Sequence, residues 1–319
     1  MSSKINNKIF VLGSGFSKCC GLPLGGRELF RECFNNGRRG NYPEDSDIVL
    51  RMLEFFYPNF KENLENFPDI EEFCTLLIDN TIQFPRNKTR IENVLEAIKR
   101  QVSLLINTKQ TTLKDDYRNI EQFARQLKEG DIVISLNYDT LVEKALFKIH
   151  KGENIISYIY NKDKISILKL HGSINWLIKK NKIRKHEKFD SYFYELYDSY
   201  ISKNFDYVGG DLTETDNNIY IYSSMISPSY YKRPHNEILG RIWEEAYNIL
   251  RDSGKIIIIG YSMPPADTNI RHLFSAISYS ESIIEIINPD ITIKYRFENC
   301  FGKNLKFIET YFELSDYSK

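Results

Sequence analysis

Long apolar runs are missing from this chain of 319 residues, and so is any excess of charge, since lysine plus arginine and aspartate plus glutamate each number 43. A balanced chain has no global field to draw it to nucleic acid or to an anionic membrane, so a charged ligand has to be held by a few placed groups. No stretch approaches the roughly 20 apolar residues that cross a bilayer. The first apolar run, Ile9 to Leu12, is cut by Gly13 and Gly15 and is too brief for a secretion signal. The five cysteines (Cys19, Cys20, Cys33, Cys74 and Cys300) are odd in number and form no C-x-x-C pair, which argues against a disulfide framework and against a zinc ribbon. His150, His186 and His235 have no companions at metal-ligand spacing, so no metal is expected. These features fit a reducing, cytoplasmic setting.

What the chain does have is material for a core, at 42% hydrophobic and 13% aromatic residues. Short β-branched runs at Lys8–Gly13, Ile132–Leu136, Ile165–Leu170, Ile219–Ser223, Lys255–Gly260 and Ile283–Ile287 read as buried strands. Helical periodicity follows several of them, at Thr140–Ile149, Asn236–Arg251 and Asp267–Tyr279. That alternation predicts an α/β fold, a doubly wound Rossmann-like parallel sheet. Between the first two strands lies a strand-poor stretch with helix-like patterning at Arg27–Phe34, Asp47–Phe56, Ile70–Asp79, Thr89–Ile106 and Leu113–Leu127, too long for an ordinary crossover. The expected division is a Rossmann-like domain of residues 1–26 and 129–319 with a helical insertion subdomain at 27–128. Residues 179–218, with a basic run and then many tyrosines, read as a solvated hairpin with a mixed aromatic helix, or as a lid or partner surface.

Polar residues cluster where strands end, and in an open parallel sheet that edge is where ligands bind. Gly13-Ser-Gly-Phe-Ser follows the first strand and reads either as a structural turn or as a phosphate cradle. It is not the dehydrogenase fingerprint, because Lys18 stands where the third glycine belongs, and Pro23 limits any helix starting here to about one turn. Asn137-Tyr-Asp follows the second strand, and Thr140-Leu-Val-Glu143 then has capping-box spacing. Thr140 is therefore expected to cap the helix and release Asp139, although the two can exchange roles. Asn137 has no comparable structural task in the sequence. His171-Gly-Ser follows the strand Ile165–Leu170, where a histidine serves either as a hydrogen-bonded structural residue or as a base. Asp267 reads as an N-cap, and Arg271 and His272 as helix surface.

The ordered set Gly13-Ser-Gly-Phe-Ser…Gly21-Leu-Pro, Asn137-Tyr-Asp, His171-Gly-Ser, Gly260-Tyr-Ser and Ile287-Asn-Pro resembles the sirtuin-like (silent information regulator-like) superfamily, and more narrowly its bacterial anti-phage NAD-consuming branch. The resemblance implies that Gly13, Ser14, Gly15 and Ser17 line the phosphates of NAD+, while Gly260, Ser262 and Asn288 contact the adenosine half. It implies that Asn137 holds the nicotinamide ribose and the attacking water, Asp139 the carboxamide, and that His171 acts as base. There are departures as well. No cysteine lies between His171 and Gly260, so the zinc module of deacetylating sirtuins is missing and peptide deacetylation is not expected. Arg27 is displaced by one position, and Tyr138 replaces an aliphatic residue. Ser227-Pro-Ser-Tyr-Tyr-Lys-Arg-Pro is expected to fold over the cofactor in the zinc module's place.

The expected activity is NAD+ hydrolysis to nicotinamide and ADP-ribose, as an abortive-infection effector of antiviral defence. Restraint would come from homo-oligomer formation or from a separately encoded sensor, an ATPase or an Argonaute-like protein as the family implies. A module that senses NAD or ADP-ribose without turnover is the alternative, and a conventional dehydrogenase is disfavoured by the missing third glycine.

Overall fold

Isoleucine decides where the sheet lies. Lys255-Ile-Ile-Ile-Ile259 buries all four isoleucines, and Ile9-Phe-Val-Leu12 is buried along its whole length. Such runs suit strands covered on both faces, as parallel strands under helices are. In the computed structural model, which describes residues 7–23, 25–39, 43–59, 66–113, 117–151, 155–179, 221–223, 225–232, 234, 237–265, 267–279, 282–302 and 305–319, the chain divides into two compact units.

The first unit comprises residues 1–22, 113–172 and 233–319. Its strands are β1 (Ile9–Leu12), β2 (Ile132–Ser135), β3 (Ile156–Ser157), β4 (Ile165–Lys169), β7 (Lys255–Ile259), β8 (Ile283–Ile287) and β9 (Leu305–Ile308). They form one all-parallel seven-stranded sheet in the order β3-β4-β2-β1-β7-β8-β9. This is the α/β Rossmann-like class expected. The register pairs Leu12 with Ser135 and with Ile259, Ser135 with Lys169, and Ile259 with Ile287, which brings the carboxyl ends of five strands to one edge. From β1 the chain winds out to β2 and β4, then returns to the other side of β1 as β7, so the winding reverses between β1 and β7. The unit's helices are α1 (Ser14–Ser17), α6 (Arg118–Gln126), α7 (Leu141–Ile149), α8 (Glu237–Arg251), α9 (Thr268–Phe274) and α10 (Lys294–Phe301). The single helix expected over Asp267–Tyr279 tightens into a 3₁₀ turn from Ser275 onward.

The second unit comprises residues 23–112 and 173–232. Four helices, α2 (Gly26–Arg39), α3 (Pro43–Phe56), α4 (Ile70–Gln83) and α5 (Lys88–Thr112), enclose an aromatic core in which Phe30 packs on Phe67 and Phe73. Arg100 grips the buried Asp45 with two bonds of 2.6 and 2.8 Å, and Gln101 donates to Ser46. Two strands, β5 (Leu177–Lys179) and β6 (Ile221–Ser223), pair antiparallel.

This division differs from the sequence expectations in two places. The sequence pattern predicts an insertion over 27–128; the first stretch of the second compact unit ends at 112, and α6 packs on α7, with Lys148 bonded to Glu121 at 2.7 Å. The run at Ile219–Ser223 reads as a strand of the main sheet, and its described residues instead pair with β5 in the second unit. Within residues 227–232, the Tyr230 amide donates to Thr75 Oγ1 of α4 at 2.9 Å and Lys232 meets Glu71 at 2.6 Å. Of the stretch 179–218, all but Lys179 lies outside the described residues.

Candidate functional site

Two loops touch backbone to backbone at the reversal point. Gly13 N donates to Ile259 O and Gly15 N to Gly260 O, both at 2.9 Å. A Cβ on Gly13 would lie 2.7 Å from Gly260 O, one on Gly15 would lie 2.8 Å from Gly260 Cα, and one on Gly260 would lie 2.3 Å from Phe16 N. Gly260 also has a φ of +65°. Glycine is needed at these positions because two main chains meet there. The loop makes one helical turn, α1, passes into a 3₁₀ turn at Lys18–Cys20 and stops at Gly21, as Pro23 implied. Both glycine amides are engaged by the protein itself, so these two residues border the loop without offering N–H donors. Ser14 lies half-buried at the start of α1.

A closed polar set ties this loop to β2. Asn137 Nδ2 donates to Gly13 O at 2.9 Å and to Ser17 Oγ at 3.1 Å, and Ser17 Oγ donates to Asp139 Oδ2 at 2.7 Å. Leu141 N donates to Asp139 Oδ1 at 3.2 Å. Asn137, Asp139 and Ser17 are all buried. Two sequence expectations fail here. Asn137 does have a structural task, the tie between β2 and the glycine loop. Asp139 is not released from capping, because Thr140 makes no side-chain cap bond and the first helical amide turns to Asp139 instead. With one Asp139 oxygen on the helix and the other on Ser17, the carboxylate serves both elements.

His171 sits at the end of β4, 4% exposed, with Nδ1 2.8 Å from Leu136 O. A carbonyl only accepts, so Nδ1 carries the hydrogen, and Nε2 holds the lone pair in the neutral ring. Gly172, at φ +76°, turns the chain away, and the Tyr138 ring centroid lies 6.1 Å from the imidazole. Trp243 Nε1 donates to Leu170 O at 2.8 Å and fixes the backbone just before His171.

Beneath these groups lies an ion pair that sequence reasoning did not identify. Lys169 and Glu143 are each 1% exposed, with Nζ and Oε1 3.4 Å apart. Lys169 Nζ also donates to Asp139 O, and Tyr158 OH donates to Glu143 Oε1 at 3.4 Å. Burial pushes the Glu143 carboxyl above its ordinary range, and Lys169 opposes that shift. One signal was available, a lysine inside the apolar run Ile165-Ser-Ile-Leu-Lys-Leu170. Glu143 was concealed by its capping-box spacing.

On the β7–β8 side, Asn288 Nδ2 donates to Tyr261 O at 3.2 Å and its Oδ1 accepts from Asp290 N at 2.9 Å. Ser262 is exposed, and its carbonyl accepts from Arg296 Nη1 at 3.0 Å. Met263 adopts a φ of +47°, rare for a residue with a side chain. Asp267 occupies the N-cap position of α9 but makes no cap bond, since its Oδ2 accepts from Tyr261 OH at 2.9 Å. His272 is exposed, as expected, and Arg271 is partly buried. All ten predicted site residues thus lie in the first unit, at or just beyond the carboxyl ends of its strands. No group of three or more metal-ligating side chains occurs among the described residues. No described helix is long and apolar enough to cross a membrane.

No family model matches the chain, and no curated protein matches it. Among solved structures, it is similar to a Sir2 homolog–NAD complex at 13% identity, covering 96% of this chain and 85% of that one with a TM-score of 0.47. It is also similar to a complex of a mutant Sir2 homologue with ADP ribose at 13% identity, covering 96% of this chain and 87% of that one, with a TM-score of 0.46. A Sir2–p53 peptide–NAD+ structure is similar at 14% identity, with 96% and 89% covered and a TM-score of 0.45. Likenesses this remote carry no argument about chemistry. The sheet order and the site's hydrogen bonds stand without them.

Proposed function

We propose that this protein is an NAD+ glycohydrolase, which cleaves the nicotinamide–ribose bond with water to give nicotinamide and ADP-ribose. The observation that carries the reading is the pinned His171 tautomer beside the closed Asn137–Ser17–Asp139 set at the carboxyl edge of the sheet. Leaving-group departure takes the C1′–N electron pair onto the pyridinium nitrogen and leaves positive charge on the sugar. Oriented oxygen dipoles that tolerate this charge lower the barrier. Asn137 has its Nδ2 committed to Gly13 and Ser17, so its side-chain oxygen is the atom fixed to orient a ribose hydroxyl or the attacking water. As the water oxygen bonds C1′, its proton passes to His171 Nε2, directly or through the ribose hydroxyls, and then to solvent.

In this reading Gly13, Ser14, Gly15 and Ser17 border the dinucleotide's phosphates, and the amides of Gly13 and Gly15, held by Ile259 and Gly260, do not donate to them. Asp139 faces the carboxamide, and Gly260, Ser262 and Asn288 border the adenosine half. The wider role follows the resemblance: an abortive-infection effector of anti-phage defence in the cytoplasm, restrained by homo-oligomer formation or by a separately encoded ATPase or Argonaute-like sensor. One observation favours a second reading, a module that binds NAD+ or ADP-ribose without turnover. Asn137 and Asp139 already bond protein groups, and a binding module needs no more of them. Incubation of the purified protein with NAD+ separates the two, because only the first reading yields free nicotinamide.

A further inference from the structure

Two side chains at the end of β4 stitch it to the turn after β2. The ring of His171, beyond β4, reaches the carbonyl of Leu136 beyond β2, and the ammonium of Lys169, the last residue of β4, reaches the carbonyl of Asp139. Lys169 pairs in register with Ser135, the last residue of β2, so its side chain spans from one strand end to the turn that carries Asn137 and Asp139. Its counter-charge, Glu143, sits in the first turn of α7, the helix that Asp139 caps. A buried ammonium needs partners for its charge and its protons, and Lys169 finds two on the segment that follows β2. An apolar side chain in the same place would fill the space without setting the position of the Asp139 carbonyl.

We propose that Lys169 is a positioning residue of the proposed active site, which fixes the Asn137–Asp139 turn relative to His171 and touches no substrate. This rests on the NAD+ glycohydrolase reading. Removing the lysine alone leaves Glu143 buried without its counter-charge, so the informative variant is Lys169→Met combined with Glu143→Gln, with Lys169→Arg beside it. The expected result for the double variant is a kcat for nicotinamide release lowered by roughly 10- to 100-fold, as misplacement of a reacting group produces, with KM for NAD+ within about threefold of the parent. In the same protein, the ¹⁵N-imidazole Nδ1–H signal of His171, assigned by comparison with His171→Gln, should exchange with water at least about tenfold faster, because the turn that follows its carbonyl partner Leu136 is no longer held by Lys169. Lys169→Arg should recover neither property, since a planar guanidinium cannot occupy the site of a compact ammonium. A kcat within twofold of the parent overturns the proposal. If the parent protein releases no nicotinamide, the glycohydrolase reading fails, and the imidazole signal then decides the positioning claim, with unchanged exchange refuting it.

Discussion

Gly260 and Gly21 make a controlled pair, because both hold a left-handed backbone, at φ +65° and +71°, and only one of them is crowded. An alanine at Gly21 meets nothing within 4 Å, whereas at Gly260 the added carbon would lie 2.3 Å from Phe16 N, 2.5 Å from Gly15 C and 2.7 Å from Gly15 Cα. The left-handed conformation costs an L-residue about 1–2 kcal/mol, partly offset by about 0.4–1 kcal/mol from the stiffer unfolded chain, so Gly21→Ala should lose about 1 kcal/mol. Gly260→Ala bears that cost and adds overpacking of about 1–3 kcal/mol against main-chain atoms that cannot rotate aside. Separation of the loops also breaks the Gly15 N to Gly260 O bond, worth about 1 kcal/mol. The sum is about 3–5 kcal/mol, a large share of the roughly 5–15 kcal/mol that holds a domain together. Of the two tryptophans, Trp243 lies in the first unit, so urea unfolding followed by its fluorescence in a Trp176→Phe background reads that unit. Losses for the two variants that agree within about 1 kcal/mol would refute the claim that these glycines exist for loop-on-loop contact.

The Glu143 carboxyl, pushed up by burial, should titrate above the ordinary value of about 4.3 in a ¹³C carboxyl NMR titration, and a midpoint at or below that value contradicts its burial beside Lys169. Because its pKa is raised in the folded protein, its contribution to stability is complete below the unfolded value and is lost as pH rises through the folded one. Lys169→Met should therefore cost about 3–5 kcal/mol at neutral pH and less as the pH falls and Glu143 takes up its proton; urea unfolding at neutral and at acid pH measures the difference, and equal losses count against it. Asn137→Ala strips a donor from Gly13 O and from Ser17 Oγ and should destabilise the first unit by about 1–3 kcal/mol in the same assay. The Cys19 thiol is raised by its contact with Cys20 and by burial, so alkylation at pH 7.5 should run at least about tenfold slower than for free cysteine, and labelling at the free-thiol rate would show that the contact is not kept in solution.

Much of this arrangement could be read from the residues, and what escaped has a common cause. Strands covered on both faces declare themselves as isoleucine runs, so β1, β2, β4, β7 and β8 were placed within a residue or two. The two-residue β3 and the half-exposed β9 have no such pattern, and Leu177–Lys179 is too short to carry one. The expectation that Ile219–Ser223 joins the main sheet fails for its described residues 221–223, because a β-branched run reveals a strand but not its partner. At the site, the positions of Asn137, Asp139 and His171 beyond strand ends followed from local pattern alone. Their bonds did not, since Asn137 reaches a loop 124 residues away in sequence and Lys169 turns toward a carbonyl 30 residues before it. The capping box shows the same limit. Thr140-x-x-Glu143 has the spacing, yet the Thr140 side chain makes no cap bond, and Glu143 lies against the buried Lys169.

The most direct test follows NAD+ and its products over time with the purified protein, and repeats the assay with Asn137→Ala and His171→Ala once each variant is shown to be folded. The account predicts nicotinamide and ADP-ribose released in equal amounts by the parent protein and by neither variant. Intact NAD+ at high enzyme concentration, or release that survives both substitutions, would contradict it.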